Sequence, residues 1–204
     1  MKISFDNIVC KETFPNGSGK VVIDGLSAIW ELKEDEKVLC VITDNTVKTE
    51  KLFKCIAGLE KAGSGDINIS PENIAVAYIP KESSLLDWYT TEENIGFPLK
   101  IKGLSKNRIE EVVKPAVEVT GLEGYEQHLQ HPKSRGYSLR VEIARALASG
   151  ANLILINDSV SAVRVSLRED LYQLIRKISD EKEVSFIISS SDLKGSYGLP
   201  SVVL

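Results

Sequence analysis

A polar segment that follows a short apolar run has the position of a phosphate-binding loop but not its residues. Residues Val38–Ile42 are continuously apolar, and apolar residues at helical spacing follow the polar segment. A phosphate loop joins a strand to a helix. It needs glycines, which let backbone N–H groups turn inward, and a lysine that reaches the outer phosphates. This segment has no glycine between Thr43 and Lys54 and supplies Asp44 and Glu50 instead. We therefore predict a phosphate-loop scaffold without phosphate-loop chemistry.

Charge disfavours a polyphosphate at this loop. Two like charges about 4 Å apart repel by roughly 4 kcal/mol at an effective dielectric constant near 20. The partial positive charge of a helix N-terminus contributes only about 0.3–1 kcal/mol. Repulsion dominates unless Asp44 and Glu50 point away from the loop. Lys48 or Lys51 could still replace the missing lysine, so anion binding at residues 46–51 stays open as an alternative.

The elements that position these residues alternate between strands and helices, which predicts an α/β fold with a mainly parallel sheet. The first 32 residues instead show short alternating segments typical of an antiparallel β unit. A largely helical subdomain, roughly 85–149, is predicted as an insertion in a single domain of residues 1–204. Further predictions are a turn at Pro15–Lys20, a helix from Ser105 to Thr120 with a kink or boundary at Pro115, and a helix from Ser138 to Ala148.

Composition excludes several classes of function. The 204 residues carry a net charge of −4, which argues against a dominant role in nucleic-acid binding. Cys10, Cys40 and Cys55 lie far apart in apolar segments, as expected for reduced packing residues of a cytosolic protein. His128 and His131 lack metal-ligand spacing, so no metal site is predicted. We expect no transmembrane segment, because no apolar run approaches the roughly 18 residues that crossing a bilayer needs.

Four scaffold phrases identify a family by resemblance. They are Ile56–Glu60 followed by Gly63–Ile67, Leu85–Trp88 with Glu93-Asn94, and Arg140–Leu147. With these phrases the chain resembles the ATP-binding-cassette subunit of ABC transporters, most closely the importer type that serves nitrate, sulfonate or taurine-like solutes. The resemblance covers essentially the whole chain. It implies a P-loop NTPase-like core, ATP and Mg²⁺ as the family's cofactors, and a membrane subunit as partner.

Carried over onto this chain, the resemblance places the family's phosphate-loop glycines at Thr43, Thr46 and Lys48. The lysine falls at Thr49, and the magnesium-binding serine or threonine falls at Glu50. Every position of the loop that binds phosphate or magnesium is thus substituted. Thr46 and Thr49 remain as weak candidates for nucleotide binding.

Three further weak candidates come from the adenine-stacking and signature positions. The stacking aromatic falls at Phe14, which keeps a ring but could equally be a packing residue. The signature keeps Ser134 and Gly136, while Arg135 replaces the glycine that lets backbone approach a γ-phosphate across a dimer. An arginine could itself contact phosphate. We nevertheless expect Arg135 to face the shared phosphates and to disfavour a nucleotide-driven homodimer.

The positions that surround the reaction are also changed. The glutamine that senses magnesium and the membrane subunit becomes Lys81, and the family's histidine becomes Ser189. The aspartate and glutamate of the acidic pair become Asn157 and Asp158. Asp158 is the candidate catalytic base, but it is one methylene short, and misplacement by that length could cost about a hundredfold in rate. Its alternative role is that of a loop or helix-cap residue.

A partner interface is predicted from the resemblance as well. In the family, a groove between the core and the helical insertion receives a short helix of the membrane subunit. Its equivalent here includes Lys81, Leu85, Leu86, Trp88 and Tyr89, an aromatic and apolar set typical of an interface. Lys81 could bind an acidic partner. The alternative is that these residues seal the junction between subdomains.

Three functions follow for testing. The first is a non-hydrolytic cassette that acts by partner binding, with no cofactor expected and only weak ATP or Mg²⁺ binding. The second is a true importer subunit whose composite site is completed by a competent partner cassette. The third is an anion- or nucleotide-binding regulator. In each case we expect a monomer or hetero-oligomer, located in the cytoplasm or at the inner membrane face through a partner.

Overall fold

A computed structural model describes residues 1–13, 19–129, 134–192 and 196–204. Three predicted features lie outside these ranges: the candidate stacking residue Phe14, the turn at residues 15–18, and His131. The described strands are β1 (Lys2–Thr13), β2 (Gly19–Glu31), β3 (Val38–Ile42), β4 (Ser64–Ser70), β5 (Val76–Ile79), β6 (Leu153–Asn157), β7 (Ser185–Ser190) and β8 (Ser201–Val203). The described helices are α1 (Thr46–Ile56), α2 (Thr91–Ile101), α3 (Lys106–Thr120), α4 (Arg135–Ala148) and α5 (Val165–Lys182).

Two sheets confirm the predicted α/β class with its separate antiparallel unit. The antiparallel sheet has the order β2-β1-β4, and the second sheet has the order β5-β6-β7-β3-β8 with every described pair parallel. All residues of β3, β6 and β7 are buried, as expected for central parallel strands covered on both faces. The carboxyl ends of these three strands meet at one edge, where parallel sheets place their ligands.

Two apolar clusters cover the faces of the parallel sheet. One face packs against α1 and the antiparallel sheet through Leu52, Phe53 and Trp30. The other face packs against α4 and α5 through Ile143 and Ile175. All three cysteines are free thiols in these layers, with Cys10 and Cys40 buried and Cys55 half-buried. In the described part of the chain, no helix combines the length and apolar character needed to cross a membrane.

Helices α2, α3 and α4 share a third apolar cluster, and two of them differ from the prediction. Helix α3 continues through Pro115, where we expected a kink or boundary. A proline inside a helix costs about 3 kcal/mol, and burial of Val113, Ala116 and Val117 offsets that cost. Helix α4 begins three residues earlier than predicted, because the side chain of Ser134 caps it by accepting a hydrogen bond from the N–H of Tyr137 at 3.4 Å.

Candidate functional site

A helical turn occupies the place of the phosphate loop. Only Thr43, Asp44 and Asn45 separate β3 from α1, whereas the phosphate-loop motif G-x-x-x-x-G-K-[ST] spans eight residues. The side chain of Asn45 caps the helix by accepting a hydrogen bond from the N–H of Val47 at 3.1 Å. Asparagine is among the best N-cap residues, and no glycine opposes the winding of the next residues. Residues 46–48 are therefore helical rather than wrapped around an anion.

Two charged side chains of α1, Glu50 and Lys51, are held by partners further along the chain. Glu50 pairs with Lys54 at 2.6 Å, one helical turn further along. Lys51 pairs with Glu60 at 2.9 Å, so its ammonium does not replace the missing phosphate-loop lysine. The hydrogen bond to Glu50 raises the pKa of Lys54. The predicted repulsion of phosphate thus rests on exposed Asp44 and not on Glu50.

An uncharged network of buried side chains connects the phosphate-loop, acidic-pair and histidine positions. The hydroxyl of Thr49 lies 3.2 Å from Oδ1 of Asn157, and the hydroxyl of Ser189 donates to the same oxygen at 3.0 Å. The exposed fractions of these three residues are at most 2%. The hydroxyl of Ser189 also accepts the backbone N–H of Asp158 at 3.0 Å. In this network, the sites of the family's lysine, aspartate and histidine bond to one another.

Asp158, the candidate base, is ion-paired and enclosed. Its Oδ2 lies 2.8 Å from Nζ of Lys81. Its Oδ1 accepts hydrogen bonds from the N–H and hydroxyl of Ser191 at 3.1 and 3.0 Å, and from the hydroxyl of Ser161. Burial alone would raise the pKa of Asp158, but these hydrogen bonds outweigh it and hold the pKa below its usual value of 3.8. A base of low pKa with all its oxygens engaged is poorly suited to accept a proton from water.

The backbone conformation of Asp158 explains why an aspartate, one methylene shorter than the family's glutamate, fits at this position. Its φ is +48°, in the left-handed region that aspartate tolerates better than most residues. This turn directs the short carboxylate back toward β7 and Lys81. The pKa of Lys81 is raised, first by its hydrogen bond to Asp158. The lysine at the glutamine position therefore neutralises the acid at the base position.

Arg135 faces the protein interior, which corrects the expectation that it faces shared phosphates. Its Nη1 lies 2.6 Å from Oε2 of Glu142, and the two side chains are 13% and 0% exposed. Its Nη2 donates to the carbonyl of Pro80 at 3.1 Å and to the hydroxyl of Ser159 at 2.8 Å. Sequence reasoning missed Glu142, because an acidic residue inside a helix gives no signal that it is buried.

The other two signature positions lie at the start of α4. Ser134 is exposed and serves as the N-cap described above. Gly136 lies in the first turn, where an added Cβ would meet a methyl of Val163 at the ordinary contact distance of 3.5 Å.

The predicted partner interface divides into buried and exposed residues. Leu85 is only 9% exposed and belongs to the helical cluster, whereas Trp88 is 73% exposed and Leu86 and Tyr89 are half-buried. The rings of Trp88 and Tyr89 meet edge to face at 6.4 Å. Lys81 is 47% exposed but bound to Asp158. Leu85 thus has the sealing role that the sequence offered as the alternative, and the partner interface stays a prediction for the exposed residues.

Asn94 organises this exposed segment, and sequence reasoning did not assign it this role. It is fully buried, and its amide group accepts the N–H of Leu86 at 2.8 Å and donates to the carbonyls of Leu86, Tyr89 and Thr90 at 3.0 to 3.2 Å. A buried amide that bonds four backbone groups fixes the loop that carries Trp88.

A groove of about 350 Å³ lies beside this segment, between the parallel sheet and the helical cluster. We call it the subdomain groove. Its apolar floor is formed by Tyr78, Phe97, Pro98, Ile101 and Ala146. Phe97 connects it to the exposed aromatic residues, because its ring lies 5.7 Å from that of Tyr89. Ile101 at its margin is 71% exposed.

The side chains present do not fit a Mg²⁺-ATP complex. Within the described ranges, no three His, Cys, Asp or Glu residues form a group that could hold a metal ion. The amide of Asn157 stands where the family has a carboxylate, and it already accepts two hydrogen bonds. Hard cations such as Mg²⁺ prefer carboxylate ligands and substrate phosphates.

Comparison with known proteins gives relatives of one kind. No protein-family model matches the chain. Among curated proteins, the spermidine/putrescine import ATP-binding protein PotA of Thermotoga maritima is 33% identical over 149 residues, which is 69% of this chain. The match spans 40% of the length of PotA.

Solved structures show the same fold at low identity. The structure of cbiO1 from Clostridium perfringens, part of the ABC transporter complex cbiONQ, has a TM-score of 0.78 at 18% identity and covers 95% of this chain and 79% of its own. The dimeric structure of MJ0796, a bacterial ABC transporter cassette, has a TM-score of 0.79 at 19% identity, with 99% and 94% covered.

Proposed function

We propose a function from the premise that this chain is an ABC-transporter ATP-binding-cassette protein by fold and by sequence similarity. In this proposal the chain does not hydrolyse ATP and acts by binding a partner protein. The observation that carries the proposal is the buried network of Thr49, Asn157 and Ser189. Phosphoryl transfer depends on charged groups and metal ions that stabilise the transition state. A threonine, an asparagine and a serine bonded to one another supply neither.

The direct test is ATP turnover and binding. We expect no Mg²⁺-dependent phosphate release and no heat of binding when ATP is titrated into the protein, with PotA as the positive control. The physical reason is that the phosphate-loop turn is closed and Asp158 is held by Lys81. Magnesium-dependent hydrolysis that Asp158→Ala abolishes would overturn the proposal.

For the partner, we propose a membrane subunit that inserts a short helix into the subdomain groove, which would place this chain in the cytoplasm at the membrane face. The support is the apolar floor of the groove, which is linked to exposed Trp88 through the ring contacts of Phe97 with Tyr89 and of Tyr89 with Trp88. The nitrate, sulfonate and taurine importer type suggested by the scaffold phrases gives one panel of membrane subunits to test. The membrane subunit of a spermidine/putrescine importer, the type that PotA serves, gives a second.

The double variant Trp88→Ala/Tyr89→Ala tests this surface. We expect the affinity for an immobilised membrane subunit to fall about tenfold or more, because exposed aromatic residues often dominate interface energies. Affinity is measured in detergent by biolayer interferometry. The matched control is Ile29→Ala/Leu59→Ala, which removes apolar side chains that are 60% and 62% exposed elsewhere. Equal affinities of the two double variants would count against the surface.

A second candidate is an importer subunit whose composite site is completed by a competent cassette. The similarity to a cassette solved as a dimer favours it. Titration of Mg²⁺-ATP into this chain alone, a competent cassette alone, and their mixture separates the two proposals. Extra binding sites seen only in the mixture would favour the composite site. An anion-binding regulator remains a third candidate, although Asn45 already occupies the N-terminus of α1.

A further inference from the structure

We infer that a clamp centred on Arg135 holds the subdomain groove in one fixed shape and that nucleotide does not alter it. The inference rests on the proposed function in two respects, because the groove is the proposed partner site and because the chain is proposed not to bind nucleotide. The clamp consists of Arg135, Glu142, Arg145 and the segment Pro80–Ser84, which lies between the sheet and the helices.

The first part of the clamp joins α4 to the core. Arg135 is the first residue of α4, yet its guanidinium bonds the carbonyl of Pro80 after β5 and the hydroxyl of Ser159 after β6. The hydroxyl of Ser159 also donates to the carbonyl of Pro80 at 2.6 Å. One planar side chain thus connects the helical cluster to two neighbouring strands of the parallel sheet.

The second part of the clamp fixes the segment that follows β5. Oε1 of Glu142 accepts the N–H and the hydroxyl of Ser84 at 2.7 and 3.0 Å, while Oε2 holds Arg135. Arg145 donates to the carbonyl of Ser84 at 3.0 Å. At the other end of the segment, Lys81 is paired with Asp158. The segment is therefore held from both sides, by α4 and by the core.

The clamp is part of the groove wall. Glu142 and Arg145 line the groove beside Tyr78 and Ile79, which belong to β5. If the helices moved relative to the sheet, Arg135 would lose the carbonyl of Pro80 and the hydroxyl of Ser159. Leaving buried polar groups without their partners is unfavourable. The width of the groove therefore depends on the same hydrogen bonds that hold Arg135.

Nucleotide has no means of changing this arrangement in our proposal. A ligand shifts a conformational equilibrium only through different affinities for the two states. The groups that could create such a difference here are Thr49 and Asn157, which bond to each other, and Asp158, which is paired with Lys81. The groove is then permanently prepared for its partner.

Hydrogen exchange followed by mass spectrometry tests the clamp in the full chain. For the wild-type protein, we expect the amide groups of residues 81–89 to be equally protected from exchange with and without Mg²⁺-ATP. The nucleotide is added at about 5 mM, close to its concentration in a cell. In Arg135→Ala, we expect exchange in 81–89 to rise about tenfold or more while β6 and β7 stay protected. The matched control is Arg108→Ala, which removes an arginine paired with Glu111 on the exposed face of α3.

Two outcomes would overturn the inference. One is exchange in Arg135→Ala that equals that of Arg108→Ala, and the other is a change in wild-type protection on adding Mg²⁺-ATP. If Arg135→Ala fails to fold, Arg135→Lys replaces it. Lysine keeps a charge for Glu142 but loses the fork that reaches Pro80 and Ser159, so exchange must still rise. Membrane-subunit capture is measured separately, so failure of the partner proposal and failure of the clamp are distinguishable.

Discussion

Lys81 and Asp158 show how two substitutions that each weaken a catalytic site can complement each other. A lysine at the sensing position is a poor neighbour for magnesium, and a shortened acid is a poor base. Together they form an ion pair of 2.8 Å with the carboxylate buried and the ammonium half-exposed.

The first prediction at this scale concerns Lys81→Gln, which restores the family's residue. The buried carboxylate of Asp158 loses its cation but keeps the hydroxyl groups of Ser161 and Ser191. We expect the free energy of unfolding to fall by about 1–3 kcal/mol, the cost of an incompletely satisfied buried group. Urea denaturation at pH 7 measures it. Lys33→Gln at an exposed position is the control, and equal stabilities would contradict the role of the pair.

The same denaturation measurement at acidic pH tests how the pair contributes to stability as pH falls. The folded-state pKa of Asp158 is lowered, so its stabilising contribution is complete above the unfolded pKa of about 4 and is lost as pH falls through the folded value. Without Lys81 the folded pKa rises toward the unfolded value, so the loss of stability with acid should be smaller and should end at a higher pH than in the wild-type protein. Urea midpoints between pH 7 and pH 3 that run parallel for both proteins would contradict this assignment.

At the residue scale, the sequence revealed which of the family's site residues are substituted. It did not reveal which side chains surround the substituted residues. Matching to the family phrases located Thr49, Asn157 and Ser189, but not the hydrogen bonds among them. Arg135 was expected to face outward, and it faces inward. The orientation of a long side chain is decided by partners that can be distant in sequence. The partner of Arg135 is Glu142 on the same helix, but Glu142 is itself oriented by Ser84, which lies far away in the sequence.

At the element scale, the N-terminus of α1 decides whether a nucleotide could be held. Thr43 accepts the N–H of Asn45 at 3.0 Å, and Asn45 in turn caps the helix. The backbone donors nearest the strand are thus used within the loop. A phosphate loop offers such donors to an anion.

We predict that Asn45→Ala lowers the free energy of unfolding by about 0.5–2 kcal/mol, because the N–H of Val47 loses its side-chain acceptor. Urea denaturation provides the measurement. Asn45→Asp is the matched control, since aspartate caps as well as asparagine and should leave stability nearly unchanged. Equal losses in both variants would mean that the cap is not the stabilising contact.

The sequence predicted the elements better than their ends. The continuous apolar run Val38–Ile42 has the same bounds as β3, because burial on both faces leaves a strong pattern. The start of α4 was missed by three residues, and Pro115 was assigned a break that does not occur. In both places, capping and tertiary packing outweighed the local rules.

At the scale of the whole molecule, the sheet and its two apolar clusters form a layered core that keeps thiols inert. Cys40 is fully buried in the central strand β3, and burial raises its pKa to about 11. Cys55 on α1 lies 3.9 Å from Cys10 on β1, and burial raises the pKa of Cys55 to about 12. Few of these thiols are ionised at neutral pH.

We predict that 5,5′-dithiobis(2-nitrobenzoate) at pH 8 labels Cys40 only as fast as the protein unfolds globally, because thiolate is the reactive form and β3 opens last. The rate is followed by absorbance at increasing urea concentration, and labelled peptides are assigned by mass spectrometry. Reaction of the fully unfolded chain gives the reference. Labelling of native Cys40 at the reference rate would contradict a rigid core.

The α/β architecture and the family resemblance were accessible from the sequence because they depend on repeated apolar patterns and several scaffold phrases. The polar contacts that connect the helices to the sheet were not accessible from the sequence. They depend on Arg135, Glu142 and Ser84, single polar residues whose spacing has no periodic pattern.

The three-residue connection between β3 and α1 also bears on the history of this lineage. Once residues 46–48 have wound into the helix, a return to ATP binding requires several glycines and a lysine together with the loss of a capped turn. Each glycine introduced alone into that turn weakens the helix by roughly 1 kcal/mol and confers no ligand. Under the proposed non-hydrolytic function, no single one of these substitutions would restore ATP binding, so the three-residue connection would keep the lineage in its partner-binding role.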